Sequence, residues 1–460
     1  MKMMKNRYEV FHFYAIIFNK SIEEGEEMPL LFGTAEFNEQ EHLTIGGCDT
    51  VRIAEKYGTP LFVYDVAHIR ERARGFKQTF NSLGVKNKVI YASKAFCCLA
   101  MYKLLEEEEL GCDVVSAGEI YTAIKGGMSP ENIEFHGNNK TKEELAYAVE
   151  QGVGTIIIDN FYEIELLSAI LKEKDKKQNV MFRITPGVDA ETHEYILTGQ
   201  VDSKFGFDVN SGQATQALEM LLAEERFILK GAHCHIGSQI FSAEGFLAAV
   251  EKMLLILNEW KQTLGYTVDI LNMGGGFGVQ YTKADDPLEP EAFVKAIVNA
   301  VKGQCELLDY SFPEIWIEPG RSIIAEAGTT IYTVGSQKVI PEVRRYVSVD
   351  GGMGDNIRPA LYDAVYDGFL ANRISSELPK EFRIVGKYCE SGDVLIKNIE
   401  LPPMEPGDLF AITSTGAYGY SMANNYNRNP KPAVVFVENG QDKLAIRRET
   451  FEDLIALDCE

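Results

Sequence analysis

The sequence predicts an α/β protein, in which a (β/α)8 barrel is followed by an all-β domain of barrel or sandwich type. Three observations lead to this prediction. Short apolar runs alternate with helical patterns between Pro60 and Arg321, eight such runs form a regular series, and strands without intervening helices follow from about Thr329. Alternating strands and helices are typical of a parallel sheet, and eight units are the number that closes a barrel.

The eight predicted barrel strands each end in a glycine or a polar residue. Their last residues are Lys94, Ser116, Asn138, Asn160, Gly187, Ser238, Gly276 and Arg321. The first four ends are evenly spaced by 22 residues, which suits one strand, one loop and one helix per unit. The later units carry longer insertions, notably residues 188–210, and long barrel loops are where ligands are handled.

The β domain is predicted from seven alternating runs. These runs are TTIYTVGSQKVI, YVSVDGG, IVGKYC, DVLIKNIEL, DLFAITSTGAY, AVVFVENG and KLAIRRE. The segment ENGQDK predicts a hairpin turn, and Thr450 to Asp453 predicts a capping box that starts a short helix.

The residues before Pro60 are too few for a core of their own, so they are expected to join the β domain. LTIGG, at residues 43–47, is predicted to add a strand to that domain, and residues 49–57 predict a helix that ends at Gly58. The predicted division is therefore an N-terminal extension of unknown role (1–27), a segment joining the β domain (28–59), a cofactor-binding barrel (60–325) and the β domain (326–460).

Composition and charge exclude several classes of partner. Of the 460 residues, 45 are Lys or Arg and 68 are Asp or Glu, a net charge of −23, which repels nucleic acid and anionic lipid. The chain has no run of 18 apolar residues, so no membrane-spanning segment is expected. The eight cysteines form no CxxC pair and two are adjacent, which favours a reducing cytoplasm over a disulfide framework.

The predicted strand ends carry the residues that could perform chemistry, because active sites of such barrels lie at the carboxyl ends of the strands. Lys94 follows VIYAS at one of these ends, where a desolvated amine is a Schiff-base candidate. Three successive glycines, Gly274 to Gly276, let backbone N–H groups approach an anion, and Ser238 offers a hydroxyl nearby. His233 and His235 share a strand face, but no acidic or third histidine ligand has suitable spacing, so we expect no metal.

A lysine, a phosphate-binding turn and an acidic residue at one barrel mouth indicate pyridoxal 5'-phosphate, which needs a partner for its aldehyde, phosphate and pyridine nitrogen. Eight motifs in order then resemble the diaminopimelate decarboxylases, a family in the alanine racemase-like class of pyridoxal phosphate enzymes. The motifs are VIYASKA, GCDVVSAGE, HCHIGSQ, NMGGGFG, EPGR, RPALY, YCESGD and STGAYGYSMANNYN. The resemblance runs from about Phe32 to the C-terminus and leaves out residues 1–27.

The resemblance implies a role for each matching position. Lys94 would hold the cofactor covalently, His235 would stack on its ring, and Glu318 would pair with the pyridine nitrogen. Residues implied to bind the cofactor are Lys94, Asp113, Arg183, His235, Ser238, Gly275, Gly276, Glu318, Pro319, Gly320, Arg321 and Tyr418. Residues implied to bind the substrate are Arg321, Arg358, Tyr362, Glu390 and Tyr418.

Cys389 and Glu390 are implied to act in the active site of the other subunit of a head-to-tail homodimer. Cys389 would donate the proton to Cα, and Glu390 would contact the distal amino group of the substrate. From the residues alone, a buried strand cysteine is the favoured interpretation of Cys389. The arginines suit a distal carboxylate. The implied reaction is therefore the decarboxylation of meso-2,6-diaminopimelate to L-lysine and CO2, the final step of lysine biosynthesis.

Three alternatives remain open from the sequence. A decarboxylase of the same class could act on ornithine, arginine or carboxynorspermidine, although CES and RPALY argue against it. A racemase is disfavoured because racemases of this class place an arginine where Glu318 stands. A catalytically inactive regulatory homologue would have no use for Lys94, the glycine turn and Cys389 together.

Overall fold

The computed structural model describes residues 29–188 and 203–459. The predicted N-terminal extension and residues 189–202 of the long insertion lie outside the described residues. Within the described ranges, no helix has both the length and the apolar character needed to cross a membrane.

The described secondary structure consists of strands β1–β21 and helices α1–α12, numbered in chain order. The strands are β1 (Glu36–Phe37), β2 (Leu43–Ile45), β3 (Cys48–Asp49), β4 (Leu61–Asp65), β5 (Asn87–Ala92), β6 (Gly111–Val114), β7 (Ile133–Phe135), β8 (Thr155–Ile158), β9 (Gln178–Thr185), β10 (Phe207–Asp208), β11 (Phe227–His233), β12 (Ile270–Asn272), β13 (Glu314–Ile317), β14 (Gly328–Ile340), β15 (Arg344–Val349), β16 (Gly368–Leu370), β17 (Lys380–Val385), β18 (Val394–Leu401), β19 (Leu409–Ile412), β20 (Ala433–Glu438) and β21 (Gln441–Ile446). The helices are α1 (Thr50–Tyr57), α2 (Val66–Ser82), α3 (Leu99–Glu107), α4 (Ala117–Lys125), α5 (Lys142–Gln151), α6 (Phe161–Lys174), α7 (Gln213–Ala223), α8 (Glu244–Leu264), α9 (Pro290–Leu308), α10 (Arg321–Ile324), α11 (Arg358–Tyr362) and α12 (Phe451–Ile455).

Eight parallel strands close into a barrel, which confirms the predicted fold class. The order around the barrel is β5, β6, β7, β8, β9, β11, β12 and β13, and β13 pairs again with β5. Each of the eight runs identified from the sequence overlaps one of these strands. The carboxyl ends of all eight strands therefore meet at one mouth, as the fold requires.

The β domain is built on a second, mainly antiparallel sheet. Its central path runs β18-β17-β15-β14-β4-β20-β21, and β19 and β16 lie beside β14. Strand β4 belongs to this sheet, where it pairs antiparallel to β14 and parallel to β20. The predicted barrel domain began at residue 60 and therefore included β4. This boundary is wrong, because β4 belongs to the β domain.

The reason for this placement is that β4 is buried on both faces. Phe62 and Tyr64 pack into the large core that includes the barrel, whereas Leu61 and Val63 pack into a second core beneath the β domain. A strand with two buried faces reads as a continuous apolar run, so its sequence does not reveal which sheet it joins.

The segment LTIGG forms strand β2 and joins the β domain as predicted, although not as a strand of the main sheet. Strand β2 instead lies between β1 and β3 in a separate three-stranded sheet, and Gly46 and Gly47 close its hairpin to β3 with positive φ angles. The small sheet packs through Leu43 and Ile45 onto the second core. Local hairpin closure satisfies the backbone groups of β2, so the segment joins the β domain by side-chain packing.

Three local predictions are confirmed by the structure. Helix α1 has Asp49 as its N-cap and Gly58 after its end, and α12 begins with a complete capping box at Thr450. The β20–β21 hairpin turns at Asn439 and Gly440, which both have positive φ angles. Each of these features depends on neighbours within a few residues, so a single sequence is sufficient to predict it.

Candidate active site

One large cavity of about 1490 Å³ opens at the carboxyl ends of the barrel strands and reaches the β domain. Twelve of the residues singled out from the sequence line it. They are Lys94, Asp113, His235, Ser238, Gly275, Gly276, Glu318, Gly320, Arg321, Arg358, Tyr362 and Tyr418. Residues from five barrel units and the β domain thus converge on one space.

Lys94 lies at the floor of this cavity. Strand β5 ends at Ala92, and a short 3₁₀ turn over Ser93–Ala95 directs the Lys94 side chain into the cavity, to which it is exposed. Burial lowers the pKa of Lys94, but the negative charges of Asp113 and Glu318 outweigh it and leave that pKa raised. Without a bound group, Lys94 is therefore an ammonium that must lose a proton before it can act as a nucleophile.

The β domain holds the lysine loop in place. Tyr418 donates from its backbone N–H to the carbonyl oxygen of Ala95 at 2.8 Å, and Ser421 Oγ donates to the same oxygen at 2.6 Å. These two bonds join residues more than 320 positions apart in the chain. The position of Lys94 therefore depends on docking between the two domains.

Glu318 lies one residue beyond β13 and is buried together with two histidines. His233 Nε2 lies 3.1 Å from Oε2 of Glu318, and His136 Nε2 lies 3.1 Å from Oε1. Burial would raise the pKa of Glu318, but His233 and His136 outweigh it and hold that pKa well below its usual value. Glu318 is thus a carboxylate anion that can receive a protonated ring nitrogen.

The glycine turn after β12 packs directly against the end of β13. A Cβ atom on Gly275 would lie 2.1 Å from the carbonyl oxygen of Glu318, and one on Gly276, whose φ is +109°, would lie 2.4 Å from that of Gly237. Both positions therefore require glycine. The turn brings backbone N–H groups to the side of the cavity that Ser238 also lines.

His235 follows β11 and contacts this glycine turn. The backbone N–H of Gly275 donates to His235 Nδ1 at 3.3 Å. Burial, together with the positive charges of Lys94 and Arg183, holds the pKa of His235 well below its usual value. The imidazole is therefore neutral, which suits a flat ring that stacks on a cofactor.

One wall of the cavity is formed by Arg321, Arg358 and Tyr281, and Tyr366 packs against Arg358 and Tyr281. Arg321 Nη1 donates to the hydroxyl of Tyr281 at 2.5 Å, and the guanidinium of Arg358 lies 4.8 Å from the centre of the same ring. Arg358 also donates to the hydroxyl of Tyr366. Burial would raise the pKa of Tyr281, but Arg321 and Arg358 outweigh it and leave that pKa lowered. This wall concentrates positive charge and can bind a carboxylate.

Four of the expected residues do not line the cavity. Arg183 is buried at the end of β9, where its guanidinium lies 4.4 Å from the ring centre of Phe205. Pro319 lies between two lining residues without lining the cavity itself. Cys389 and Glu390 follow β17 in a turn and are exposed. The reading of Cys389 as a buried strand cysteine is wrong, because β17 already ends at Val385.

Several site residues received no role from the sequence. Tyr281 lies in the long loop after the glycine turn, and Tyr366 follows the RPALY motif. Glu134 is a charged residue in the middle of the apolar strand β7, and it is fully buried. A buried charge inside a short apolar strand is a signal that sequence analysis can use, because such a group needs a partner in the fold.

Comparisons with known proteins identify the family. A profile described as "Pyridoxal-dependent decarboxylase, pyridoxal binding domain" matches residues 66–325. The chain is 57% identical over 428 residues to the diaminopimelate decarboxylase of Bacillus subtilis (strain 168), covering 93% of this chain and 98% of that protein. The chain belongs to the diaminopimelate decarboxylase family. The enzyme of Bacillus methanolicus is 54% identical over 427 residues, covering 93% and 99% of the two chains.

Solved structures of this decarboxylase family have the same fold. The M. jannaschii diaminopimelate decarboxylase in co-complex with L-lysine is 36% identical, with a TM-score of 0.88 over 94% of this chain and 99% of that one. The Helicobacter pylori diaminopimelate decarboxylase complexed with L-lysine is 33% identical, with a TM-score of 0.81 over 89% of this chain and 99% of that one.

The cavity fits pyridoxal phosphate, the cofactor of this family of decarboxylases. It contains an amine for the aldehyde, an anionic carboxylate for the ring nitrogen, and a glycine turn with a serine hydroxyl for the phosphate. One oxygen of Asp113, Oδ1, is buried and has no hydrogen-bond partner among the described residues. A buried acceptor without a partner beside Lys94 is consistent with a site that a bound group completes.

Proposed function

We propose that this protein decarboxylates meso-2,6-diaminopimelate to L-lysine and CO2, the final step of lysine biosynthesis. The observation that carries the proposal is the arginine pair, Arg321 and Arg358, which flanks Tyr281 in the cavity that also contains Lys94. A substrate whose far end carries a carboxylate can pair with these guanidinium groups. Ornithine has no such carboxylate and would leave a buried arginine unpaired, at a cost of about a hundredfold in specificity.

The residues around the cofactor would bind it and control its protonation. Pyridoxal phosphate, when bound, supplies an electron sink for the electron pair that remains when CO2 leaves. Lys94 would hold it covalently and Glu318 would keep a proton on its ring nitrogen. Ser238 and the N–H groups of Gly275 and Gly276 would hold the phosphate.

The other predicted ligands have supporting roles in this proposal. His235 would lie against the ring face, and Tyr418 would reach both the phosphate and the substrate. Asp113, Arg183, Pro319 and Gly320 would shape the cofactor site, and Tyr362 would contact the substrate.

We further propose a cytoplasmic homodimer in which Cys389 and Glu390 complete the active site of the partner subunit. Two observations support this arrangement. Both residues are exposed and do not line the cavity of their own chain, and apolar side chains at the cavity rim, such as Val365, are also exposed. The cytoplasm is supported by the cysteines, because all eight lie in the described residues and none forms a disulfide.

The test is an assay of CO2 and amino-acid products over a panel of amino acids. We expect release of one CO2 and one L-lysine from each meso-diaminopimelate. Ornithine, arginine, L-lysine and carboxynorspermidine should be poor substrates, with kcat/KM lower by about a hundredfold or more. Equal turnover of ornithine would overturn the substrate assignment, and holoenzyme that turns over no member of the panel would favour the inactive homologue.

A further inference from the structure

A layer of polar side chains is buried inside the barrel around Glu318. Its other members are Glu134 on β7, His136 just after β7, and His233 and Asn272 at the ends of β11 and β12. All five are less than a tenth exposed. Polar and charged groups at this depth are costly unless each pairs with a complementary group, so the pairing pattern indicates their charges.

Both oxygens of Glu318 receive partners from this layer. Oε1 accepts a hydrogen bond from Asn272 Nδ2 at 2.7 Å and also lies 3.1 Å from His136 Nε2. Oε2 lies 3.1 Å from His233 Nε2. Asn272 Oδ1 accepts from the backbone N–H of Gly274 at 2.9 Å, so the same amide also ties the carboxylate to the glycine turn.

The two histidines have different surroundings, although each lies 3.1 Å from Glu318. His136 Nε2 faces a second carboxylate, because Glu134 Oε2 is 3.6 Å away. His233 has Glu318 as its carboxylate partner, and its Nδ1 is buried without a hydrogen-bond partner among the described residues. An unsatisfied nitrogen does not distinguish the two rings, because His136 Nε2 also has no aligned hydrogen-bond partner among the described residues. The difference is the second carboxyl group, since an imidazole between two buried carboxyl groups favours the cationic form more than an imidazole beside one of them.

The pKa directions of the two histidines agree with this geometry. Burial lowers the pKa of His136, but Glu318 and Glu134 outweigh it and raise that pKa to about 10. Burial dominates for His233 and lowers its pKa to about 4. At neutral pH, His136 is therefore a cation and His233 is neutral, so the low pKa of Glu318 is maintained by the charge of His136 together with the hydrogen bonds of both rings.

We propose that His136 is a positioning residue, a buried cation that keeps Glu318 anionic and thereby keeps the shared proton on the ring nitrogen of the bound cofactor. Glu134 holds the charge on His136, and His233 supplies a hydrogen bond without charge. The inference rests on the proposed function only in placing the ring nitrogen against Glu318. One proton is shared between a carboxylate and a pyridine nitrogen, and a cation 3.1 Å from the carboxylate moves that proton toward the ring.

The matched variants His136→Gln and His233→Gln test this proposal. Each replaces an imidazole that contacts Glu318 with a neutral amide donor, but only His136→Gln removes a positive charge. Holoenzyme is reconstituted with pyridoxal phosphate that carries ¹⁵N in the ring, and the ring nitrogen is observed by solid-state NMR. We expect a protonated ring nitrogen in the wild type and in His233→Gln, and a shift toward the unprotonated position in His136→Gln.

Steady-state kinetics give a second readout. We expect His136→Gln to lower kcat about tenfold or more with KM changed less than about threefold, because the charge acts on the reacting state rather than on substrate binding. His233→Gln should lower kcat by a smaller factor than His136→Gln does, because it leaves the positive charge of His136 in place. Equal losses in the two variants, or a protonated ring nitrogen in His136→Gln, would overturn the proposal.

Two further measurements cover the remaining outcomes. If His136→Gln does not yield folded holoenzyme, Glu134→Gln tests the same charge, and an unchanged ring ¹⁵N signal there overturns the proposal.

The ligand atoms of His136, His233 and Glu318 lie within 4.8 Å of one another, so metal content is measured as well. A stoichiometric metal ion would also overturn it. Lysine production by the wild type tests the proposed function separately, so the two failures are distinguishable.

Discussion

Arg321 donates a hydrogen bond from Nη2 to Ser238 Oγ at 3.1 Å, which joins the first residue of α10 to the loop after β11. Its Nη1 is bonded to Tyr281 at the same time. Arg321 thus connects the side of the cavity proposed to hold phosphate with the side proposed to hold substrate. Arg358 packs against Tyr281 and donates to Tyr366 instead, so the two arginines are expected to differ in what their loss changes.

The first prediction concerns Arg358. Because its guanidinium is buried against Tyr281 and Tyr366, Arg358→Ala should lower kcat/KM for meso-diaminopimelate by about a hundredfold or more, and should change that for ornithine much less. Steady-state assays on both substrates measure the preference. Arg345→Ala, an exposed arginine on β15, is the matched control for loss of charge and should behave as wild type. An unchanged preference in Arg358→Ala would contradict the assignment.

The second prediction concerns Lys94. Borohydride reduction of the holoenzyme followed by peptide mass mapping should find the cofactor on Lys94, because this amine is exposed to the cavity beside Glu318 and Asp113. Lys94→Ala should carry no tag, whereas the exposed Lys103→Ala should keep the tag on Lys94. A tag on another lysine of wild-type holoenzyme would refute the role of Lys94.

The third prediction concerns the shared active site. Lys94→Ala and Cys389→Ala homodimers should both be nearly inactive. After subunit exchange of equal amounts, about half of the dimers are mixed and each has one intact site, so activity should return to about a quarter of wild type. A CO2-release assay before and after exchange under mild denaturant makes the measurement. If no activity returns although exchange is demonstrated, each site is built within one chain.

The fourth prediction concerns pH and Asp355, a buried carboxylic acid in the β domain. Asp355 Oδ2 accepts from the hydroxyl of Tyr332 at 2.5 Å, and burial raises its pKa to about 7. Because the pKa of Asp355 is higher in the folded protein than in the unfolded chain, its protonated form favours the folded state. The contribution of Asp355 to the free energy of unfolding is therefore greatest at low pH. This contribution is lost as the pH rises from about 4 to 7.

The variant Asp355→Asn is neutral at every pH and should lack this loss. From pH 5 to pH 8, the free energy of unfolding of wild type should fall by about 2 to 3 kcal/mol more than that of Asp355→Asn. Urea unfolding at the two pH values measures the difference, and Asp269→Asn, at an exposed position, serves as the control. Identical pH dependence in wild type and Asp355→Asn would contradict a raised pKa.

The sequence by itself was sufficient for the features that depend on short-range patterns. The eight barrel strands, the hairpin at Asn439 and Gly440 and the capping box at Thr450 were all predicted from periodicity and turn chemistry. Because parallel strands of a barrel end at one mouth, the same patterns also placed Lys94, His235 and Glu318 at one site.

The tertiary structure decided which groups meet across long distances in the chain. An apolar run such as LFVYD reports burial but not its partners, so only the fold shows that β4 joins β14 and β20. The charges of His136 and His233 also depend on packing. Both histidines lie at the ends of barrel strands, and it is the position of Glu134, brought beside His136 and not beside His233, that makes one a cation and leaves the other neutral.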